Sequence, residues 1–262
     1  MGRYRLSFLR GAIVVLFALT TLVYVGYAAP SPAPVGAPPL PTAASWTEAL
    51  DGYLAANRQQ QDRLRDSTME VEIQAKLPRM KREAIQRAVR HVAPSGEITY
   101  EPVSSTGDNM VRKEVIARYM SAEQDASRKV APGDVQLQSM GITRDNYEFK
   151  YKGLGALNDR RVYVFELKPK QKRLGLFKGE IWVDVLTFQT LRESGTFEKS
   201  PSIYLSKVQF VRQYEIQDGL AIPTYVSSKI ETRMAGTADI DIRFSGFSNV
   251  MTARSRICPL GW

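Results

Sequence analysis

From Ser67 to Leu77 apolar and polar residues alternate without a break. Met69, Val71, Ile73, Ala75 and Leu77 fall on one side, and Glu70, Glu72, Gln74 and Lys76 on the other. A two-residue period of this kind predicts a strand with one buried face. Ahead of it, in "SWTEALDGYLAANRQQQDRL", Trp46, Leu50, Tyr53 and Leu54 recur at helical spacing, and Ser45 and Glu48 are placed as a capping box. Packing against a sheet is the commoner use of such a stripe, the alternative being a helix lying on a membrane surface. Residues 79–92 leave two readings open. Ala84, Ile85, Ala88, Val89 and Val92 suit a helix, whereas the flanking strands make another strand plausible. "GEITYEPV" is extended again. Asp108 then stands as an N-cap before Val111, Val115, Tyr119, Ala122 and Ala126, an amphipathic helix with Pro132-Gly133 just past its end.

After residue 145 the helical period disappears. Tyr147, Phe149 and Tyr151 alternate with Glu148, Lys150 and Lys152, and "RRVYVFELK", "GEIWVDV", "TLRESGTFE", "SIYLSKVQFVRQYEIQ", "LAIPTYVSSKIET" and "TADIDIRFSGF" follow between short turn signals. This is a meander of antiparallel strands. With two helices ahead of it, the class is α+β: a curved antiparallel sheet with helices against one face. Met69, Val71, Ile73, Tyr147, Phe149, Tyr163, Phe165, Phe197, Phe210, Ile240, Ile242 and Phe244 are expected to share that face. A sheet too large for two helices to seal leaves a hollow with apolar walls, suited to acyl chains. Core packing alone accounts for the same alternation.

The N-terminus carries a targeting signal. "MGRYRLSFLR" is basic, "GAIVVLFALTTLVYVGYAA" is uncharged and apolar from Gly11 to Ala29, and "GYA" ends it with small residues that a signal peptidase reads. The run also has nearly the length of a membrane-spanning helix. Residues 1–29 are therefore a signal peptide or an inner-membrane anchor, and either places the remainder in the periplasm. Residues 30–44 form a Pro/Ala-rich linker, 45–250 the folded domain, and 251–262 a C-terminal tail.

The chain has 262 residues and a formal net charge of +9. Arg3, Arg5 and Arg10 belong to the targeting segment, and the remaining excess of about +6 does not by itself imply nucleic acid. One cysteine, Cys258, excludes an internal disulfide and a Cys-pair zinc site; one histidine, His91, excludes a His-rich metal cluster. No cofactor or metal is expected. Asp184 and Glu193 would serve as an acid/base pair only by converging in a cleft. Asp184, at the start of a turn with Thr187, instead suits a local cap accepting backbone N–H groups. Asp239 and Asp241 share one strand face and are expected to look at water. "GLGALND" (153–159) lacks the third glycine and the helix of a dinucleotide loop. Enzyme activity is not expected. Lys168, Lys170, Lys172, Arg173 and Lys178 in "LKPKQKRLGLFKG" form a projecting basic loop, either a solvated hairpin tip or a contact for anionic lipid or an acidic partner.

"GEIWVD" (179–184) with Thr187 and Arg192, then "KSPS" (199–202), "VQFVRQY" (208–214) and "GLAIP" (219–223), resembles the LolA-like superfamily of lipoprotein-sorting and lipid-carrier proteins over roughly residues 65–247. The resemblance implies an unclosed β-barrel with helices as a lid over a hydrophobic concavity. It implies cavity-lining roles for Tyr147, Phe149, Tyr163, Phe165, Trp182, Phe197, Phe210 and Phe244, and a lid role for Val111, Val115 and Tyr119. Asp184 and Arg192 match the family's hairpin pattern as structural residues. Some relatives hold the lid shut with a strand arginine, which this sequence alone does not identify. Relatives have a strand where 79–92 hints at a helix. The implied function is binding of lipid or lipoprotein acyl chains in the periplasm. The alternative is an inner-membrane-tethered sensor or assembly module that uses the same fold for protein contact. Partners are thus acyl chains, with the membrane surface or envelope proteins as further candidates.

Overall fold

Strand pairing in this chain joins its two ends. β1 (Ser67–Leu77) pairs on one side with β2 (Arg82–Val92) and on the other with the last strand, β10 (Gly236–Asn249), so that Val71 faces Phe244 and Ile73 faces Ile242. The computed structural model describes residues 43–128, 141–173, 175–199, 205–232 and 236–249. Between β2 and β10 lie β3 (Ile98–Gly107), β4 (Tyr147–Leu157), β5 (Arg160–Pro169), β6 (Phe177–Asp184), β7 (Thr190–Phe197), β8 (Leu205–Gln217) and β9 (Leu220–Thr232). They make one sheet of ten strands in the order β3-β2-β1-β10-β9-β8-β7-β6-β5-β4. Every described pairing is antiparallel. β3 and β4 are its free edges, so the barrel is not closed.

Residues 79–92 resolve as a strand preceded by a turn. Pro78–Met80 is a single 3-10 turn, Lys81 takes a left-handed conformation (φ 52°), and eleven residues of β2 then pair with β1. The helical spacing of Ala84, Ile85 and Ala88 loses to tertiary context, because β1 would otherwise present an unpaired edge. Tight turns elsewhere carry their own signatures. Asn158-Asp159 and Asp218-Gly219 have positive φ at both central positions, as two-residue hairpins require.

Two helical runs cover the inner face. α1 (Ala43–Arg63) begins two residues before Ser45, which therefore lies inside the helix. Leu50, Tyr53 and Leu54 are buried against Tyr163, Phe165, Ile181 and Phe210, and Trp46 stacks on Tyr151 at 6.1 Å. The second run comprises α2 (Asn109–Val111), a π-helical turn (Arg112–Ile116) and α3 (Ala117–Arg128). Asp108 caps it as expected, accepting the N–H groups of Met110 and Val111 at 2.9 and 3.0 Å. Val111, Ile116, Tyr119 and Ala122 pack on Ile73, Ile240, Ile242 and Ile230. No helix among the described residues is long and apolar enough to cross a membrane. Residues 1–29, nearly all of residues 30–44, Pro132-Gly133, and residues 251–262 with Cys258 lie outside the described residues.

Candidate functional site: the covered trough of the open barrel

The period of two decides what the trough contains. Tyr147, Phe149, Tyr163, Phe165, Phe197, Phe210 and Phe244 face inward, and Phe165 and Phe210 are 0% exposed. Phe177, which the sequence reading passed over, lies at their centre, with ring centroids 4.7 Å from Phe210 and 5.9 Å from Tyr147. Trp182 points the other way. Ile181 and Val183 on either side of it are buried in the trough, so alternation turns Trp182 to the outer face. There the Arg192 guanidinium lies 5.2 Å from its ring centroid and its indole N–H donates to Glu180. Val111 and Tyr119 of the second run are buried, and Val115 is partly so. The trough is thus covered: α1 packs onto its aromatic floor, and the second run packs onto the aliphatic stretch of Ile73, Ile230, Ile240 and Ile242.

One opening in the backbone pattern makes that packing possible. Gly179 and Gly195 face each other across β6 and β7. A Cβ on Gly179 would lie 1.9 Å from the Ser194 carbonyl oxygen, and one on Gly195 would lie 2.7 Å from the Phe177 ring. The missing side chains let the two strands approach and leave room for the Phe177 and Phe210 rings.

Between two apolar lobes, one under α1 and one under the second run, the trough carries a seam of charge. Arg212 donates to Glu193 at 2.9 Å, with the two side chains only 22% and 10% exposed, and Tyr214 is hydrogen-bonded to the same pair. On β2, Arg90 donates twice to Glu123 of α3, which also accepts from Tyr100. Tyr119 lies in the field of both arginines, although burial outweighs them and pushes its phenol up. Burial and the neighbouring Glu193 likewise raise Tyr53, against a smaller opposing effect of Thr190. Tyr147 is raised to about 12, chiefly by burial, and its hydroxyl oxygen accepts the Phe177 N–H at 3.1 Å. Burial alone would lower Arg212, but Tyr214 and Glu193 hold it above its ordinary value. These phenols stay neutral, and the guanidinium stays charged, at any physiological pH.

The remaining candidates occupy other places. Asp184 and Glu193 are not brought together: Glu193 faces inward opposite Ile181, and Asp184 closes the β6–β7 turn. Asp184 Oδ1 accepts the N–H groups of Leu186 and Thr187 at 3.1 and 2.8 Å and the Thr187 hydroxyl at 2.9 Å, while Oδ2 meets Arg160 at 3.3 Å. Replacing Asp184 with Ala is expected to lower stability by about 0.5–2 kcal/mol, the range for loss of a local side-chain cap. An unchanged melting temperature would refute that role. Asp239 and Asp241 lie on the outer face, where Asp241 accepts from Tyr225 at 2.5 Å and burial raises Asp239. His91, also outside, approaches Glu101 at 3.6 Å. "GLGALND" is the end of β4 and its turn. In the basic loop, Lys168 pairs with Glu148 and Lys170 donates to the Arg144 carbonyl, whereas Lys172, Arg173 and Lys178 are exposed.

The outer face has hollows of its own. Register shifts at Thr68/Glu70, Arg87/Ala88 and Gln213/Tyr214 bend neighbouring strands. Near them lies a groove of about 750 Å³ lined by Glu70, Glu72, Arg87, Val103, Tyr225 and Arg243.

No family model matches the sequence, and no curated protein matches it. Solved structures with a similar arrangement include a domain described as an outer membrane lipoprotein-sorting protein from Vibrio parahaemolyticus. It is 12% identical, with a TM-score of 0.40, over 76% of this chain and 92% of that one. A LolA superfamily protein from Nitrosomonas europaea is 12% identical, with a TM-score of 0.34, over 75% and 93%. The MucA/MucB complex of Pseudomonas aeruginosa contains a chain 10% identical, with a TM-score of 0.26, over 79% and 96%.

Proposed function

We propose that this is an exported, non-enzymatic binding protein of the periplasm, whose trough takes an acyl chain of a lipid or lipoprotein when α1 lifts from the sheet. The observation that supports this reading is an aromatic floor covered by a single helix in a barrel with a free side. From Phe177 to Val183 that floor runs roughly 20 Å, at about 3.3 Å per residue. α1 meets it through an apolar stripe. The described polar ties of α1 to the rest of the chain include Gln60 to Ala221, Arg63 to the Asp218 and Gly219 carbonyls, and Asp51 to Arg144. Most of these gather at its C-terminal end. Lifting its other end exposes the rings of Tyr163 and Phe165 and leaves the anchoring end in place.

Mass spectrometry of the full-length protein purified from membranes is expected to find a co-purifying lipid, and a fluorescent fatty acid to displace it. Helix lifting has its own test. Gly52 and Phe188 are in contact, a Cβ at Gly52 lying 2.8 Å from the Phe188 ring. Cysteines at both positions, with Cys258→Ser, place a thiol on each side of this contact for oxidative cross-linking. Oxidation should block uptake of the probe and reduction restore it. Protein that carries no lipid and ignores the probe in both states would defeat the reading.

A second reading, protein contact by a tethered envelope module, is supported by the filled trough together with the outer groove. It requires residues 11–29 to stay attached, which N-terminal sequencing of the mature protein decides.

A further inference from the structure

We propose that one end of the barrel is a docking surface for anionic membrane lipid, a property that does not depend on what the trough holds. In an all-antiparallel sheet, alternate turns emerge at the same end. The β1–β2 and β5–β6 turns and the residues after β7 therefore project together. They carry Arg79, Lys81, Lys172, Arg173, Lys178 and Lys199, all exposed and none in an ion pair with a described residue. Other cations at this end are already matched: Lys76 with Glu83, Arg82 with Asp108, Lys168 with Glu148, and Arg144 with Asp51. Among the described acids at this end, Asp145 and Glu198 form no ion pair with a described residue, and the unmatched cations outnumber them, so positive charge prevails. At the opposite end the turns hold Asp66, Asp159 and Asp218, while Arg63, Arg65, Arg128 and Arg160 are engaged by carbonyls or carboxylates. The molecule is electrically polar along its strands.

Three features favour a lipid surface over a small anion or a polyanion. The cations spread over five strand spacings from β1 to β6, roughly 24 Å, and do not converge on one point. Two hollows of the surface, one beside Glu72 and Arg243 and one beside Asp66 and His91, lie away from them. Met80, 43% exposed, stands between Arg79 and Lys81 on a turn whose left-handed Lys81 pushes it outward. An apolar side chain flanked by cations fits the boundary between headgroups and acyl chains.

The test uses the full chain in nanodiscs of phosphatidylcholine alone or mixed with phosphatidylglycerol. A fluorophore is placed at Met80→Cys in a Cys258→Ser background, and a quencher on the lipid headgroup. Quenching is expected in the anionic discs, to weaken at high salt, and to fall roughly tenfold when Lys172, Arg173 and Lys178 are changed to Glu. Equal quenching in phosphatidylcholine alone, or quenching indifferent to the charge reversal, would overturn the proposal. So would loss of quenching on adding an acidic polypeptide at physiological salt, which would assign the surface to a protein.

Discussion

Gly179→Ala is expected to cost about 3 kcal/mol or more, read as a fall in the urea midpoint of the full chain. The added methyl meets a backbone oxygen at 1.9 Å, and that oxygen belongs to Ser194, in the middle of a paired strand. No rotamer relieves the clash, because a Cβ has none. The strands must separate, and Phe177 and Phe210 lose the floor on which their rings close. Gly155→Ala is the control. Its methyl would meet only two valine methyl groups, at 3.3 and 3.4 Å, and less than about 1 kcal/mol is expected. If both variants unfold at the wild-type midpoint, the glycine pair does not govern the approach of β6 and β7.

Arg212→Met is expected to cost about 3 kcal/mol, at the low end for breaking a buried ion pair because the guanidinium keeps partial access to water. The loss comes less from the missing attraction than from what stays behind. Glu193 remains nearly enclosed, with Tyr214 left to serve its oxygens. Changing Glu193 to Leu in the same protein removes that orphaned charge, and the double variant should recover more than half of the stability. A double-mutant cycle on thermal unfolding measures this directly. Additive single losses would mean that the seam does not act as a unit.

Much of the architecture was legible because one face of each strand is apolar. The alternation in β1, β4, β5 and β10 placed Val71, Phe149, Phe165 and Ile242 on the correct side. Residues 79–92 were ambiguous for a physical reason: Ala84 and Ala88 suit either period, and only the demand of β1 for a partner decides between them. The resemblance put Trp182 among the cavity-lining residues, although its neighbours Ile181 and Val183 already fixed its direction. The seam was missed although its signal was present. Phe210, Arg212 and Tyr214 share the parity of an inward face, as do Glu193 and Phe197, so charges at those positions had to be buried. Their partners come from strands and a helix far apart in the chain, and a single sequence does not pair them.

The joining of β1 to β10 also governs when the molecule can acquire its shape. A chain that appears N-terminus first presents β1, β2 and β3 long before the strand that binds them to the rest has been made. Three strands without that seam hold little apolar surface away from water, and pairings so distant along the chain form slowly. β1, β2 and β3 therefore gain a partner for their apolar face only when β10 arrives, so the order of synthesis and the order of assembly lie far apart.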